Sequence, residues 1–160
     1  MPINMTAYKD PKAKHPVYYW QALGFLHCPT RELAKGHEQL YRSWGGTSRE
    51  LSEGKARDGQ FFSFHKPRTR SEAEKLFSVM EYGNQMLWVT EFRVKPETPL
   101  WIGQVDPGDN TKFVGNIPGS QVFLEREMEN SLSRVRCDRI PNDMPGVWVI
   151  PNFDRGQRND

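Results

Sequence analysis

The hydrophobic pattern of this chain is a series of short apolar and aromatic runs, separated by polar stretches rich in glycine and proline. Residues 86–94 alternate and are rich in Val, Thr, Phe and Trp, which is typical of a strand. Strands are also expected at 40–44, 60–65, 100–105, 120–125, 135–140 and 147–150. Short strands of this kind predict mostly antiparallel sheets.

One helix stands out among these strands, at residues 71–82. Ser71 followed by Glu74 fits a capping box at its start. Its inner face would consist of four apolar side chains: Ala73, Leu76, Phe77 and Met80. Residues 30–39 also show a short helical pattern, with Thr30 as the N-cap. Strands with few helices between them predict an α+β fold.

The length of 160 residues and the aromatic content of 12% fit one domain with a packed core. We expect this domain at 17–153, after a lead-in or linker at 1–16 and before a polar tail at 154–160. A net charge of +2 is too small to indicate a nucleic acid partner by itself. No apolar run approaches the about 18 residues of a membrane span, and 1–16 lacks the apolar segment of a signal peptide.

The residues that commonly bind metals are scattered along the chain. The four histidines lie on different segments: His15, His27, His37 and His65. Their spacing matches neither a zinc finger nor an HExxH motif, so we expect no metal. Cys28 and Cys137 lie far apart, and free thiols are the expected state of both.

Arg42 is a candidate ligand-binding residue, in the segment Leu40-Tyr-Arg-Ser-Trp-Gly-Gly46. This segment has the composition of a half-buried strand that ends in a glycine turn, and it contains no acidic residue. A buried charge needs a partner from elsewhere in the fold or from a ligand. Because a guanidinium suits carboxylate and phosphate, Arg42 is either a phosphate-binding residue, half of a structural ion pair, or an arginine that extends to the surface.

Basic residues cluster at 66–70 and at 134–139. The first cluster precedes the helix at 71–82, where free amide groups and the helix dipole favour an anion. Arg68 and Arg70 would contribute there, although a solvated helix start has the same pattern. The second cluster alternates with apolar residues, so its charges would share one strand face and either contact solvent or bind nucleic acid.

The third candidate element is a glycine-rich loop end followed by a strand, residues 115–125. Gln121 would face the mouth of the cleft formed by the sheet, where an amide can orient a water or a ribose hydroxyl. Glu125 and Glu127 lie at even spacing from Gln121. If the strand continues, they point to the same side and would stabilise positive charge, whereas in a helix they would be exposed acids.

The order of these elements resembles the ADP-ribosyltransferase superfamily, and more narrowly the tuberculosis necrotizing toxin type of NAD glycohydrolase domain. The similar segments are 40–46, 59–63, 67–73, 119–124, and Asn84 before the strand that ends at Val94. The likeness spans residues 38–127, and its motifs are short. Phe62-Ser63-Phe64 stands where the transferases have a Ser-Thr-Ser strand.

The resemblance implies a split, bent antiparallel β-sheet core of ADP-ribosyltransferase type with one or two helices packed on it, and NAD+ in the cleft between its halves. The residues that would bind NAD+, through its phosphates or beside its nicotinamide, are Arg42, Tyr41, Phe61, Phe62, Ser63, Arg68 and Arg70. The residues that would act in catalysis are Gln121, Arg42, Glu125 and Glu127.

The implied function is that of a toxin or effector domain which hydrolyses NAD+ at the nicotinamide–ribose bond and depletes it in a target cell. NAD+ is then the substrate, and positioning matters more than a strong base. The alternatives are a mono-ADP-ribosyltransferase that modifies a protein or nucleic acid, and a non-enzymatic nucleic-acid-binding module. The family also implies a cognate immunity protein that blocks the cleft, no membrane partner, and secretion or delivery by a specialised system into a target cell's cytoplasm.

Overall fold

The computed structural model describes residues 19–45, 60–77, 85–106 and 119–144. The helices in these ranges are α1 (Tyr19–Ala22), α2 (Arg70–Phe77) and α3 (Met128–Ser131). The strands are β1 (Thr30–Leu33), β2 (Gln39–Trp44), β3 (Phe61–Phe62), β4 (Trp88–Val94), β5 (Pro99–Gly103), β6 (Gln121–Leu124) and β7 (Leu132–Arg139). The expected α+β class is confirmed. None of the described helices is long and apolar enough to cross a membrane.

The described strands form two antiparallel sheets. One sheet has four strands in the order β1-β5-β6-β3, and the other has three in the order β2-β4-β7. A β-bridge between Tyr41 on β2 and Ser63 after β3 joins them, with N–O distances of 2.8 and 2.9 Å. Through this bridge the strands follow one another as β1-β5-β6-β3-β2-β4-β7, which places β2 between β3 and β4.

The main hydrophobic core lies between the two sheets. Leu40 and Phe92 contribute to it from the three-stranded sheet, and Phe62, Val122 and Leu124 contribute from the four-stranded sheet. Full burial of side chains of this size stabilises a fold by about 1.5–3 kcal/mol each. Since side chains alternate along a strand, the residues next to these point to the outer faces of the sheets.

Helices pack on the outer faces. On the three-stranded sheet, α2 buries Ala73 and Leu76 in a cluster with Val89 of β4. On the four-stranded sheet, Trp20 of α1 packs against a second cluster, whose buried members are Phe25, Trp101 and Phe123. Each sheet is therefore covered on both sides over part of its area.

Residues 30–39 do not form the helix that their local pattern predicted. Thr30–Leu33 instead form β1, in which Thr30 lies opposite Ile102 of β5. Helix propensities differ by only about 0.7 kcal/mol per residue among ordinary amino acids, so the hydrogen bonds of a sheet override them. The side chains of β1 are all exposed, as is common for an edge strand.

The helix predicted at 71–82 is present as α2, but its capping box lies two residues earlier than expected. Thr69 caps the helix: its Oγ1 accepts the backbone N–H of Glu72 at 3.2 Å. Glu72 Oε1 in turn accepts a backbone N–H from the residue before Thr69 at 3.3 Å. Ser71 was the predicted cap, but its hydroxyl donates to the carboxylate of Asp143.

The alternation of residues 134–139 predicted that their basic side chains would share one strand face. In the structure they do not. The register of β7 against β4 shifts by one residue at Val135, which forms a bulge. Arg134 and Arg139 consequently lie over aromatic rings of β4, each at 5.2 Å from the ring centre. Arg136 points to the other face and pairs there with an acid of its own strand at 2.8 Å.

Several predicted features fall outside the described residues. These are the strand at 147–150, the ends at 1–16 and 154–160, most of the loops at 45–59 and 106–119, and the end of the long helix with Met80. The extent of the domain, 17–153, remains a prediction.

Candidate active site

Arg42 lies on β2 with its side chain toward the inter-sheet core, as does Leu40 two residues before it. Its guanidinium carbon is 5.7 Å from the centre of the Phe62 ring, a cation–π contact. The Nη1 atom of Arg42 is buried, while the residue as a whole is half-buried. In such a partly desolvated position, a hydrogen bond from a guanidinium to an anion is stronger than in water.

Three segments that carry the sequence resemblance lie on neighbouring strands. Arg42 is on β2, Phe62 is on β3, and Val122 on β6 lies opposite Phe62. The bridge between Tyr41 and Ser63 brings β2 next to β3. Segments far apart in the sequence therefore meet within two strand spacings, or about 10 Å.

A cavity of about 270 Å³ lies on the four-stranded sheet near this junction. Its lining consists of His27, Cys28, Thr30, Glu32, Ile102, Gly103, Gln104 and Gly119. Ile102 packs against the inter-sheet core, so the cavity and Arg42 lie on the same side of the sheet. The carbonyl of Gly119 accepts a hydrogen bond from Ser63 Oγ at 3.2 Å, which connects the cavity wall to the β2–β3 bridge.

Sequence reasoning missed this cavity. His27 and Cys28 were weighed only as a metal site or a nucleophile, and neither interpretation indicates a cavity wall. Cys28 has an exposed free thiol, as does Cys137, which agrees with the expectation of free cysteines. No local signal marks these residues, because the cavity exists only through the pairing of β1 with β5.

Gln121 does not face Arg42. On β6, Val122 points into the inter-sheet core, so Gln121 points to the opposite face. Its Nε2 donates a hydrogen bond to the carbonyl of Leu23 at 2.8 Å. The structure thus does not bring the two side chains together across one cleft, because strand alternation assigns them to opposite faces.

Glu125 and Glu127 do not extend the strand of Gln121, since β6 ends at Leu124 and a helix follows. Glu125 accepts hydrogen bonds from Arg31 at 3.0 and 3.2 Å and from Trp101 Nε1 at 3.1 Å. These contacts make Glu125 a structural carboxylate on the outer side of the sheet. Glu127 is exposed at the N-cap of α3, where its side chain makes no capping hydrogen bond.

The two arginines predicted as a second phosphate contact have other partners. Arg70 is fully buried, and its Nε donates to the carbonyl of Gln85 at 2.8 Å. Arg68 is exposed and pairs with Glu72 at 3.0 Å. A phosphate has no access to the buried guanidinium, so the prediction for Arg70 is corrected to a structural role.

The anion expected at the start of α2 is supplied by the chain itself. A carboxylate oxygen of Asp143 accepts the backbone N–H of Ser71 at 2.8 Å, and the other accepts its hydroxyl. These hydrogen bonds from Ser71 lower the pKa of Asp143 from its ordinary value. The helix terminus therefore attracts an anion, as predicted, but the anion is an internal side chain.

Three further residues were expected to bind NAD+. Tyr41 packs against the cluster under α2, and its hydroxyl donates to Gln39 at 3.1 Å. Phe61 is 43% exposed and its ring lies 5.4 Å from that of Phe123. Ser63 is buried. Among the predicted binding residues, Phe62 makes a cation–π contact with Arg42.

The face of the three-stranded sheet that carries Arg42 has two more arginine–aromatic contacts. Arg134 lies over Phe92, and Arg139 lies over Trp88. The sequence shows these arginines only as part of a basic strand. Their placement over rings follows from the bulge in β7, for which the sequence gives no signal.

The fold and this junction define a class of protein: an α+β domain of two antiparallel sheets that are joined by a β-bridge beside an inward-facing arginine. A solved structure of Tne2 in complex with Tni2 contains a chain with the same fold. The TM-score is 0.56 at 16% sequence identity, over 72% of this chain and 94% of that chain. No protein-family model matches the chain, and no curated protein sequence matches it.

Proposed function

We propose that this chain is a toxin domain that hydrolyses NAD+ at the nicotinamide–ribose bond. The observation that carries the proposal is the meeting of three family-like segments on β2, β3 and β6, with Arg42 held over Phe62. Their meeting at a bridge between two sheets also supports a split core of the ADP-ribosyltransferase type.

Arg42 would bind the pyrophosphate of NAD+, because its planar fork fits two phosphate oxygens at once. The nicotinamide riboside half would then extend toward the cavity of about 270 Å³ on β1 and β5. In hydrolysis the bond between the nicotinamide nitrogen and C1 of the ribose breaks, and nicotinamide leaves with the electron pair. A water oxygen bonds to C1 and releases a proton, which yields ADP-ribose.

The positions and partners of Glu125 and Glu127 favour hydrolysis over transfer to a macromolecule. A transferase needs a carboxylate that can activate its acceptor. Glu125 is already bound by Arg31 and Trp101, and Glu127 lies outside the strand. A hydrolase requires positioning of the ribose and a water, for which a neutral amide suffices. The resemblance assigns that role to Gln121, but its side chain lies on the face opposite Arg42 and the cavity, so the proposal does not depend on Gln121.

A protein partner also belongs to the proposal. Tne2 is known in complex with Tni2, and the two share one structure. By analogy, a cognate immunity protein would cover the cleft of this chain in the cell that produces it. The toxin itself would be delivered into the cytoplasm of a target cell by a specialised system.

An NAD+ cleavage assay with the purified chain tests the proposal. The wild type is expected to release nicotinamide and ADP-ribose. Arg42→Ala should lower kcat/KM about 10- to 100-fold, because a hydrogen bond from a charged group contributes about 1.5–3 kcal/mol. Arg42→Lys should retain part of the activity, since it keeps the charge without the fork. Arg93→Ala is the matched control, an exposed arginine on the other face of the same sheet.

Three results would contradict the proposal. The first is the absence of NAD+ turnover at any protein concentration. The second is an equal loss of activity in Arg42→Ala and Arg93→Ala. The third is a result with labelled NAD+ in a cell lysate: label attached to a macromolecule, instead of free ADP-ribose, would identify a transferase.

A further inference from the structure

A stacked row of side chains crosses all three strands of the smaller sheet. Trp44 on β2 lies opposite Trp88 on β4, which lies opposite Arg139 on β7. The two indole rings are stacked, with centroids 6.1 Å apart and an angle of 28° between their planes. The guanidinium carbon of Arg139 is 5.2 Å from the centre of the Trp88 ring. Arg139 is exposed to solvent at the end of this row.

This row lies next to Arg42 on the same face of the sheet. Arg42 and Trp44 are two residues apart on β2, so their side chains point to the same side. Because Arg139 is opposite Trp88, it shares that side as well. The Cα atoms of Arg42 and Arg139 are thus separated by about 10 Å across the strands and about 7 Å along them.

In the order of the strands, a cavity lies on one side of Arg42 and an exposed arginine lies on the other. The cavity of about 270 Å³ lies on β1 and β5, at one side of β2. Arg139 lies on β7, at the other side. A dinucleotide is extended, so a pyrophosphate at Arg42 directs one nucleoside toward the cavity and the other toward Arg139.

We infer that Arg139, held over Trp88, binds the adenosine diphosphate half of the dinucleotide substrate. This inference rests on the proposed function, in which the nicotinamide half lies toward the cavity. Arg139 would be the second cationic contact of the proposed site. It replaces Arg68 and Arg70, to which the sequence had assigned that contact.

The chemistry of a stacked guanidinium fits this ligand. Its planar face can stack on a purine, and its N–H edge can donate to a phosphate or to a ribose hydroxyl. The contact with Trp88 restricts the side chain before any ligand binds, so less rotamer entropy is lost on binding. Arg139 is therefore better prepared than an ordinary surface arginine to bind a nucleotide.

Arg134 over Phe92 is the other arginine–aromatic contact on this face, and it fits a nucleotide less well. The cavity beside it has a volume of only about 130 Å³. Its lining includes Glu129, whose carboxylate would repel a phosphate. The geometry thus favours Arg139 over Arg134.

The test compares binding of ADP-ribose, measured by calorimetry, with turnover of NAD+ and of nicotinamide mononucleotide, which lacks the adenylate half. Arg139→Ala is expected to raise the Kd for ADP-ribose and the KM for NAD+ about 10- to 100-fold with kcat unchanged. The KM for nicotinamide mononucleotide should stay at the wild-type value. Arg139→Lys should give an intermediate Kd, because it keeps the charge but loses the planar face.

Arg136→Ala is the matched control, an exposed arginine on the same strand that points to the opposite face. It should bind ADP-ribose as the wild type does. An unchanged Kd in Arg139→Ala, an equal effect of Arg136→Ala, or an equal rise in KM for both substrates would overturn the inference. Failure of the wild type to bind ADP-ribose would also overturn it. Binding of ADP-ribose without cleavage of NAD+ would overturn the proposed function alone.

Discussion

Two arginines near the start of α2 illustrate how differently one residue type is used. The side chain of Arg68 is 86% exposed, whereas Arg70 is fully buried between α2 and the segment before β4. Burial lowers the pKa of Arg70 from its ordinary value. Because the pKa of an arginine lies far above neutral pH, the side chain stays charged. Its bonds to carbonyl and amide oxygens, including that of Gln85, compensate for the lost hydration. Neither residue's environment is visible in the sequence.

Arg70→Ala is expected to lower the free energy of unfolding by about 2–4 kcal/mol, since it removes a fully buried side chain and leaves buried acceptors without a donor. Arg68→Ala should change it by less than about 0.5 kcal/mol, because exposed ion pairs contribute little. Urea denaturation of the two variants measures both values. Similar losses in the two variants would show that the buried contacts of Arg70 do not stabilise the fold.

At the scale of elements, the start of α2 depends on a residue from the far end of the described chain. Thr69 and Glu72 form a local capping box, but Asp143 binds the backbone and side chain of Ser71 from more than half the domain away in sequence. The local box was predictable in kind, though not in register. The distant carboxylate was not, because only the fold brings it to the helix.

Asp143→Asn is expected to destabilise the protein near neutral pH by about 0.3–1 kcal/mol, the usual contribution of a charge at a helix start. The pKa of Asp143 is lowered in the folded state, so its stabilisation is complete above the unfolded pKa of about 4. It is lost as the pH falls through the lower folded value. Thermal unfolding should therefore show a difference in Tm between wild type and variant at neutral pH that disappears in acid.

Glu127→Gln is the control for this experiment. Glu127 stands at the N-cap of α3 and makes no capping hydrogen bond with its side chain. Its substitution should leave the Tm nearly unchanged across the same pH range. A pH-independent difference for Asp143→Asn would mean that its charge does not stabilise the helix.

At the scale of the whole molecule, the two sheets have an inner face toward the core between them and an outer face, and the predicted site residues are divided between the two. Arg42, Phe62 and Val122 share the inner face, whereas Gln121 lies on the outer face with its amide bound to Leu23. A side chain on the outer face does not reach a ribose that is bound beside Arg42 on the inner face. Whether Gln121 serves the reaction or holds the segment after α1 is a question that kinetics and stability answer separately.

Because its amide lies on the outer face and is bound to Leu23, Gln121→Ala is expected to leave kcat within a few-fold of the wild type. Its Tm should fall only slightly, since one amide–carbonyl hydrogen bond contributes about 1 kcal/mol. Gln60→Ala is the control: its Nε2 donates to the carbonyl of Leu124 at 3.1 Å, a similar bond in the same sheet. A fall in kcat of about 100-fold in Gln121→Ala but not in Gln60→Ala would contradict this and assign Gln121 a role in the reaction, as for one oriented polar group at a reaction centre.

The sequence by itself determined the strands whose alternation is strong, the presence of α2, and the α+β class. These follow from side-chain periodicity, which is a local property. It also indicated Arg42 as a candidate ligand-binding residue, and that role stays a prediction. The core strands β2, β4 and β6 could be predicted because both their composition and their alternation favour a half-buried strand.

The tertiary structure alone decided that β1 is a strand, that Arg70 is buried, that Glu125 is bound to Arg31, and that Gln121 and Arg42 face opposite sides. Each depends on which segment lies alongside which, through pairing of strands distant in sequence. A change of register by one residue moves a side chain to the other face, as the bulge at Val135 does for Arg139. Such pairings are selected by packing of the whole domain, and no local pattern encodes them.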